Sequence, residues 1–156
     1  MLRRRRSVKG TYTVLLSCKR RTVVRIGKLG IFRLEPGHYL YTGSALGVGA
    51  VSLEGRIQRH NRRSKKLRWH IDYLTSNKNC KFVGVVYLVS SRSLECRVNG
   101  LIQCSLHAIT AFPRFGSSDC SCSSHLLKPC ASLSDKEILG KLELVYGRFN
   151  PSSQDI

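Results

Sequence analysis

Acidic side chains are scarce in this chain. Nine Asp and Glu stand against 27 Lys and Arg, for a formal charge of +18. That imbalance argues against an acidic-protein, inert structural or small neutral-metabolite role, and it points to a polyanion, nucleic acid first. No run approaches the roughly 20 apolar residues of a membrane span, so no membrane partner is expected. No apolar leader follows Arg3–Arg6 either, because Ser7, Lys9, Gly10 and Thr11 interrupt at once. Seven cysteines, an odd number with no leader, favour a reducing, cytoplasmic setting with the chromosomal DNA over a disulfide scaffold. Several chemistries lack their motifs: no phosphate-cradling G-x-x-x-x-G-K-[ST], no H-E-x-x-H, no paired C-x-x-C and no G-x-S-x-G elbow. No small-molecule cofactor is therefore expected. So few carboxylates cannot readily supply a two-metal acidic cluster. Hydrolysis of nucleic acid would instead use one metal, arginines and a tyrosine or histidine.

The positive charge is concentrated. Residues 1–28 hold ten Lys and Arg, among them Lys28, before the first acid, Glu35. Residues 56–68 hold seven more (Arg56, Arg59, Arg62, Arg63, Lys65, Lys66 and Arg68) and again no acid. Such blocks can neutralise phosphates and release counterions; the plainer reading is a solvated surface. Strand patterns occur at Thr11–Ser17, Thr22–Ile26 and His38–Thr42, with Ile31–Leu34 as a short run and Lys81–Val89 as an apolar, buried strand. Helical patterns follow at about 50–63, over Trp69–Thr75, over Ser93–Leu106 with Ser93 as a possible cap, and weakly around Asp135–Val145. The segment Ser117–Ser134 reads as a low-complexity loop. The order predicts an α/β (α+β) fold: a small, mostly antiparallel sheet flanked by helices.

Two tyrosines fall at strand ends, Tyr12 in Gly10-Thr11-Tyr12 and Tyr41 in Tyr41-Thr42-Gly43, and the next helix carries Arg56, Arg59 and His60. This order resembles the GIY-YIG nuclease superfamily. The stretches KGTY, VRIGKLG, GHYLYTGSALG, RIQRH, WHIDYL and FGSSDCSCSSHL look like a largely archaeal GIY-YIG-like family, some members of which are fused to endonuclease III. The resemblance runs from Lys9 to Leu127. It divides the chain into a basic arm (1–8), a nuclease-like domain (9–127) and a C-terminal extension (128–156) with a weak helix and a flexible tail. It implies an extra hairpin between the two motif strands, because the gap from Tyr12 to Tyr41 is long. It also implies a divalent-metal-dependent endonuclease that hydrolyses DNA, with a role in repair or recombination and association with repair enzymes.

Carried over residue by residue, Tyr12 would be general base or water-orienting group, and Tyr41 would share that task. Arg56 would stabilise charge on the phosphate, and His60 would assist proton transfer. Glu95 would hold Mg²⁺ or Mn²⁺, an assignment made by position alone. Lys28, Ser44, Arg59, Arg63, Lys65, Lys66, Arg68 and His70 would contact the nucleic acid; for His70 and Asp72 a structural hydrogen bond is the competing reading. Ser117, Ser118, Asp119 and His125 would line the rim. Cys120, Cys122, His125 and Cys130 offer zinc ligands that Cys104 and His107 could complete, although C-x-C-x-x-H is not a standard finger spacing and packing of the thiols is the larger expectation. Two other readings stay open: a nucleic-acid-binding module that has lost cleavage, and an RNA-processing protein, since charge does not separate DNA from RNA.

Overall fold

The computed structural model describes residues 7–149; the arginines of the arm and the expected tail beyond 149 lie outside them. Strand β1 (Gly10–Cys18) is followed by a hairpin, β2 (Thr22–Ile26) and β3 (Gly30–Leu34), and then by β4 (Gly37–Ala45). Helix α1 (Leu53–Asn61), the short α2 (Asp72–Thr75), β5 (Cys80–Val89) and α3 (Glu95–Ser105) come next. The chain closes with β6 (Ala108–Thr110), β7 (Leu126–Pro129) and α4 (Asp135–Gly147). The main sheet has the order β5-β1-β4-β7-β6 with antiparallel pairs throughout, and β2–β3 forms a separate two-stranded sheet. The small α+β architecture and the inserted hairpin are therefore as expected.

Both faces of the central strands are covered, which is why β1 is buried along almost its whole length. Alternation sends Tyr12, Val14, Leu16 and Cys18 to one side, where they pack with Tyr39, Tyr41, Leu53, Ile71 and Leu74. Leu15 and Leu40 face the opposite side and meet Val98 and Ile102 of α3 and Ile138, Leu142 and Val145 of α4. Helices α1 and α2 thus hold the tyrosine face, and α3 and α4 hold the reverse.

Several expectations change. The C-terminal helix is not a weak appendage: Ser134 and Glu137 form a capping box, and four residues, Ile138, Leu142, Val145 and Tyr146, are buried. The Tyr146 hydroxyl and Thr13 Oγ1 are 2.7 Å apart, which joins α4 to the central strand. Strand β5 is a half-buried edge strand, not a buried one. Among the described residues it pairs with β1 alone, and it leaves Tyr87 and Val89 exposed. The loop read over Ser117–Ser134 contains β7, whose Leu126 and Leu127 pair with Tyr41 and Leu40. Ser93 does not cap α3; its hydroxyl instead lies 3.0 Å from that of Ser44. Cys18 and Cys80, opposite one another in the β1–β5 register, form a disulfide, against the expectation of reduced thiols.

Candidate active site

The β1–β4 register sets Tyr12 across from Gly43, so the two motif tyrosines share a face, with ring centroids 6.4 Å apart. Gly43 has to lack a side chain, since a Cβ would lie 2.7 Å from the Tyr12 hydroxyl. Helix α1 crosses this face. Ser52 starts it by accepting the Gly55 N–H, and Arg56 and His60 then project one turn apart. The Tyr12 hydroxyl and His60 Nε2 are 2.7 Å apart. The guanidinium of Arg56 sits 4.8 Å and that of Arg59 4.9 Å from the Trp69 ring centre, so both cations are positioned by the negative faces of one indole.

Above these residues lies an open cleft of about 690 Å³, lined by Tyr41, Ser44, Arg56, Arg68, His70 and Glu95, with Trp69, Ser118 and Asp119 alongside. Residues from β4, α1, the loop before α2, the start of α3 and the loop before β7 therefore converge. Burial raises the Glu95 carboxyl above its ordinary value and Asp119 adds to the shift, against the opposing pull of Ser44 hydrogen bonds and Arg56. Gly116 seats the wall: at φ +66° it occupies the left-handed region, and a Cβ there would come 2.8 Å from the Tyr41 ring. Its N–H donates to His70 Nδ1 at 2.9 Å. Burial lowers the pKa of His70, so the neutral ring carries its proton on Nε2 and has a donor there.

Across residues 11–143 the chain matches the family described as "Domain of unknown function DUF123". The chain belongs to this family. No curated protein and no solved structure matches it. The matched span takes in every cleft residue and more than half of α4 in this DUF123 chain.

The cleft brings Tyr41, Ser44, Arg56, Arg68, His70, Glu95, Ser118 and Asp119 together and leaves other expected residues elsewhere. Tyr12 is 0% exposed and is not a base facing substrate; burial raises its pKa despite Arg56, so it keeps its proton. His60 is also beneath the floor, 1% exposed. Burial, with Lys65 and Arg56 pushing the same way, lowers its pKa to about 3. Lys65 is not a phosphate contact: its ammonium is inside, bonded to the Arg59 carbonyl at 2.8 Å and Thr75 Oγ1 at 2.6 Å. Burial lowers its pKa to about 8, with Asp72 opposing. Arg59 is committed to Asp72 Oδ2 at 2.7 Å and to the Lys66 carbonyl. Arg63 donates to the Cys80 carbonyl at 3.3 Å but is exposed, as are Lys66 and, on the turn between β2 and β3, Lys28. None of these three is among the cleft-lining residues. Ser117 and His125 are each 1% exposed and are not on the rim.

Asp72 takes the structural hydrogen-bonding role weighed for it, and one feature, the place of Cys96, escaped the sequence. Asp72 is an internal organiser: its Oδ2 accepts from Arg59, from the Arg68 N–H and from the Trp69 N–H. Burial alone would raise its pKa, but these donors outweigh burial and hold it below the usual value. Cys96, beside Glu95, joins Cys120, Cys122 and His125 in a cluster whose ligand atoms all lie within 4.8 Å of one another and could hold a metal ion.

His60 gives a pH prediction. Its folded pKa is depressed below the unfolded 6.5, so the unfolded chain binds more protons between about pH 6.5 and about 3. Stability contributed by the neutral ring is complete above pH 6.5 and is lost as pH falls through that window, with a slope approaching about 1.4 kcal/mol per pH unit. Denaturant titrations of His60→Gln should show a shallower slope there than wild type. Equal slopes would reject the buried neutral imidazole.

Proposed function

We propose that this DUF123 domain is a GIY-YIG-like endonuclease that hydrolyses DNA phosphodiester bonds with the aid of one divalent ion. The observation that carries the reading is the meeting of Tyr41, Arg56 and Glu95, from three separate elements, in one open cleft. The acid that was assigned by position alone lies close enough to raise the pKa of both tyrosines through its charge.

The donor set fits Mg²⁺ or Mn²⁺. Glu95 and Asp119 are oxygen donors whose mutual repulsion raises Glu95, a strain that a cation would relieve, and a single carboxylate with waters is an ordinary Mg²⁺ arrangement. A bound divalent ion supplies Lewis-acid chemistry, polarising a phosphoryl oxygen and acidifying water. The residues of the chain do the rest. Arg56, fixed against Trp69, aims a guanidinium at the charge that builds on the equatorial oxygens. His70 offers Nε2–H and Arg68 its guanidinium to neighbouring phosphates. Burial holds the Tyr41 pKa well above its ordinary value, so Tyr41 keeps its proton and would donate a hydrogen bond to a bound phosphate, not act as base. Tyr12 and His60 are positioning residues under the floor. Water attacks phosphorus, the P–O bond to one sugar oxygen breaks, and a phosphate monoester and a free hydroxyl result.

One observation favours the second reading, a binding module without cleavage. Both motif tyrosines hold their protons, and His70 is directed as a donor. Incubating the full chain with linear, nicked and branched DNA, and with RNA, in Mg²⁺ or Mn²⁺ separates these readings. Metal-dependent strand scission of DNA is expected. Salt-sensitive binding with no scission in either metal would leave the module, and scission of RNA alone would move the substrate class.

A further inference from the structure

We propose that Cys96, Cys120, Cys122 and His125 form a structural zinc site that pins the loop before β7 to the start of α3. Cys96 stands in the first turn of α3, and the other three come from the loop, so only the fold brings them together. His125 Nε2 is 3.5 Å from Cys120 Sγ and 3.7 Å from Cys96 Sγ. A tetrahedral zinc with Zn–S of about 2.3 Å and Zn–N of about 2.05 Å requires S···N edges of about 3.6 Å. The two edges from His125, to Cys120 and to Cys96, thus already have the length of such a site, and Cys122 Sγ lies within 4.8 Å of the other ligand atoms. Four protein ligands leave no open position, which makes the site structural and not catalytic.

The other imidazole nitrogen supplies an independent observation. His125 is 1% exposed, and its Nδ1 is buried without a hydrogen-bond partner, 3.9 Å from Glu95 Oε2. With Nε2 on zinc, the proton has to sit on Nδ1; at 3.9 Å Glu95 Oε2 is too far to accept it directly, and a small closing movement would complete the carboxylate–histidine–metal arrangement that orients a ligand ring. Residue 125 is tied to the loop's own base, since its N–H donates to the Phe115 carbonyl at 2.8 Å, and the Arg114 N–H donates to the Ser123 carbonyl at 2.6 Å. The site would therefore fix the loop that places Gly116 against Tyr41 and Asp119 beside Glu95.

The test needs no DNA, so its outcome is separate from that of the nuclease reading. The full chain is purified reduced and without chelators, its zinc is measured by mass spectrometry, and Co²⁺ is titrated into the zinc-free protein. The expected result is one zinc per chain and a Co²⁺ spectrum with thiolate charge-transfer and intense tetrahedral d–d bands. Cys120→Ser and Cys122→Ser should each lose that zinc, whereas Cys104→Ser and Cys130→Ser, at exposed thiols outside the cluster, should keep it. Glu95→Gln should weaken Co²⁺ binding about tenfold; unchanged affinity would overturn its role toward His125. Wild-type protein that carries no zinc and gives an octahedral Co²⁺ spectrum, or that joins these thiols as a disulfide, would overturn the site. This spectrum decides the matter even if a cysteine variant fails to fold.

Discussion

Arg56→Ala is expected to slow DNA cleavage about 10²–10³-fold at saturating DNA, the usual cost of removing one preorganised donor to developing charge. Binding should suffer far less, because Arg68, His70 and the exposed basic residues outside the cleft remain. The salt dependence of affinity should lose about one phosphate contact. The structure favours so large a rate effect because Arg56 is stacked on Trp69 and, among the described residues, its Nε is buried without a hydrogen-bond partner. Arg56→Lys should not restore the rate, since a point charge lacks the planar fork that spans two phosphoryl oxygens. Single-turnover kinetics beside equilibrium binding measure both quantities. An equal loss in the two would make Arg56 a docking residue only.

Asp72→Asn should be the most damaging substitution to the fold, by about 3–5 kcal/mol, because it leaves two inward cations without their counter-charge. Asp72 is 0% exposed; Arg59 Nη2 is 2.7 Å from Oδ2, and Lys65 Nζ is 3.9 Å from Oδ1. The same carboxylate receives the N–H groups of Arg68 and Trp69, so the amide cannot serve all the donors. At about 2–4 °C per kcal/mol for a chain of this size, the melting temperature should fall by roughly 6–20 °C. The mutant should also lose the stability that wild type gains as pH rises through the carboxylate range. Calorimetry gives the first quantity, and denaturation across acidic pH gives the second. A shift of less than one or two degrees would show the network to be ornamental.

The sheet and the cleft were legible to different degrees. Alternation along Thr11–Ser17 and His38–Thr42, and a helical arc carrying Arg56 and His60, place all four expected catalytic side chains on elements that do face one another. A linear pattern carries no depth, however. Tyr12 and Tyr41 look alike in sequence, yet the register puts Tyr12 under α1 and leaves Tyr41 on the wall. Charge misleads for the same reason: Lys65 belongs to a basic run that reads as phosphate-binding, and its ammonium is turned inward to Thr75 and the Arg59 carbonyl. Strand β7 was hidden because four residues inside a Ser- and Cys-rich stretch are too few to show a period. Cys96 could not be linked to Cys120 and Cys122, because their proximity depends on α3 docking beside the loop.

The most direct test of the whole account is strand scission by Glu95→Gln, measured against wild type over a Mg²⁺ or Mn²⁺ titration at matched DNA occupancy and matched zinc content. The account predicts metal-dependent cutting by wild type, and a variant that binds DNA with unchanged affinity but cuts at no metal concentration. A variant that cuts as fast as wild type, or a wild type whose cutting ignores the metal, would contradict it.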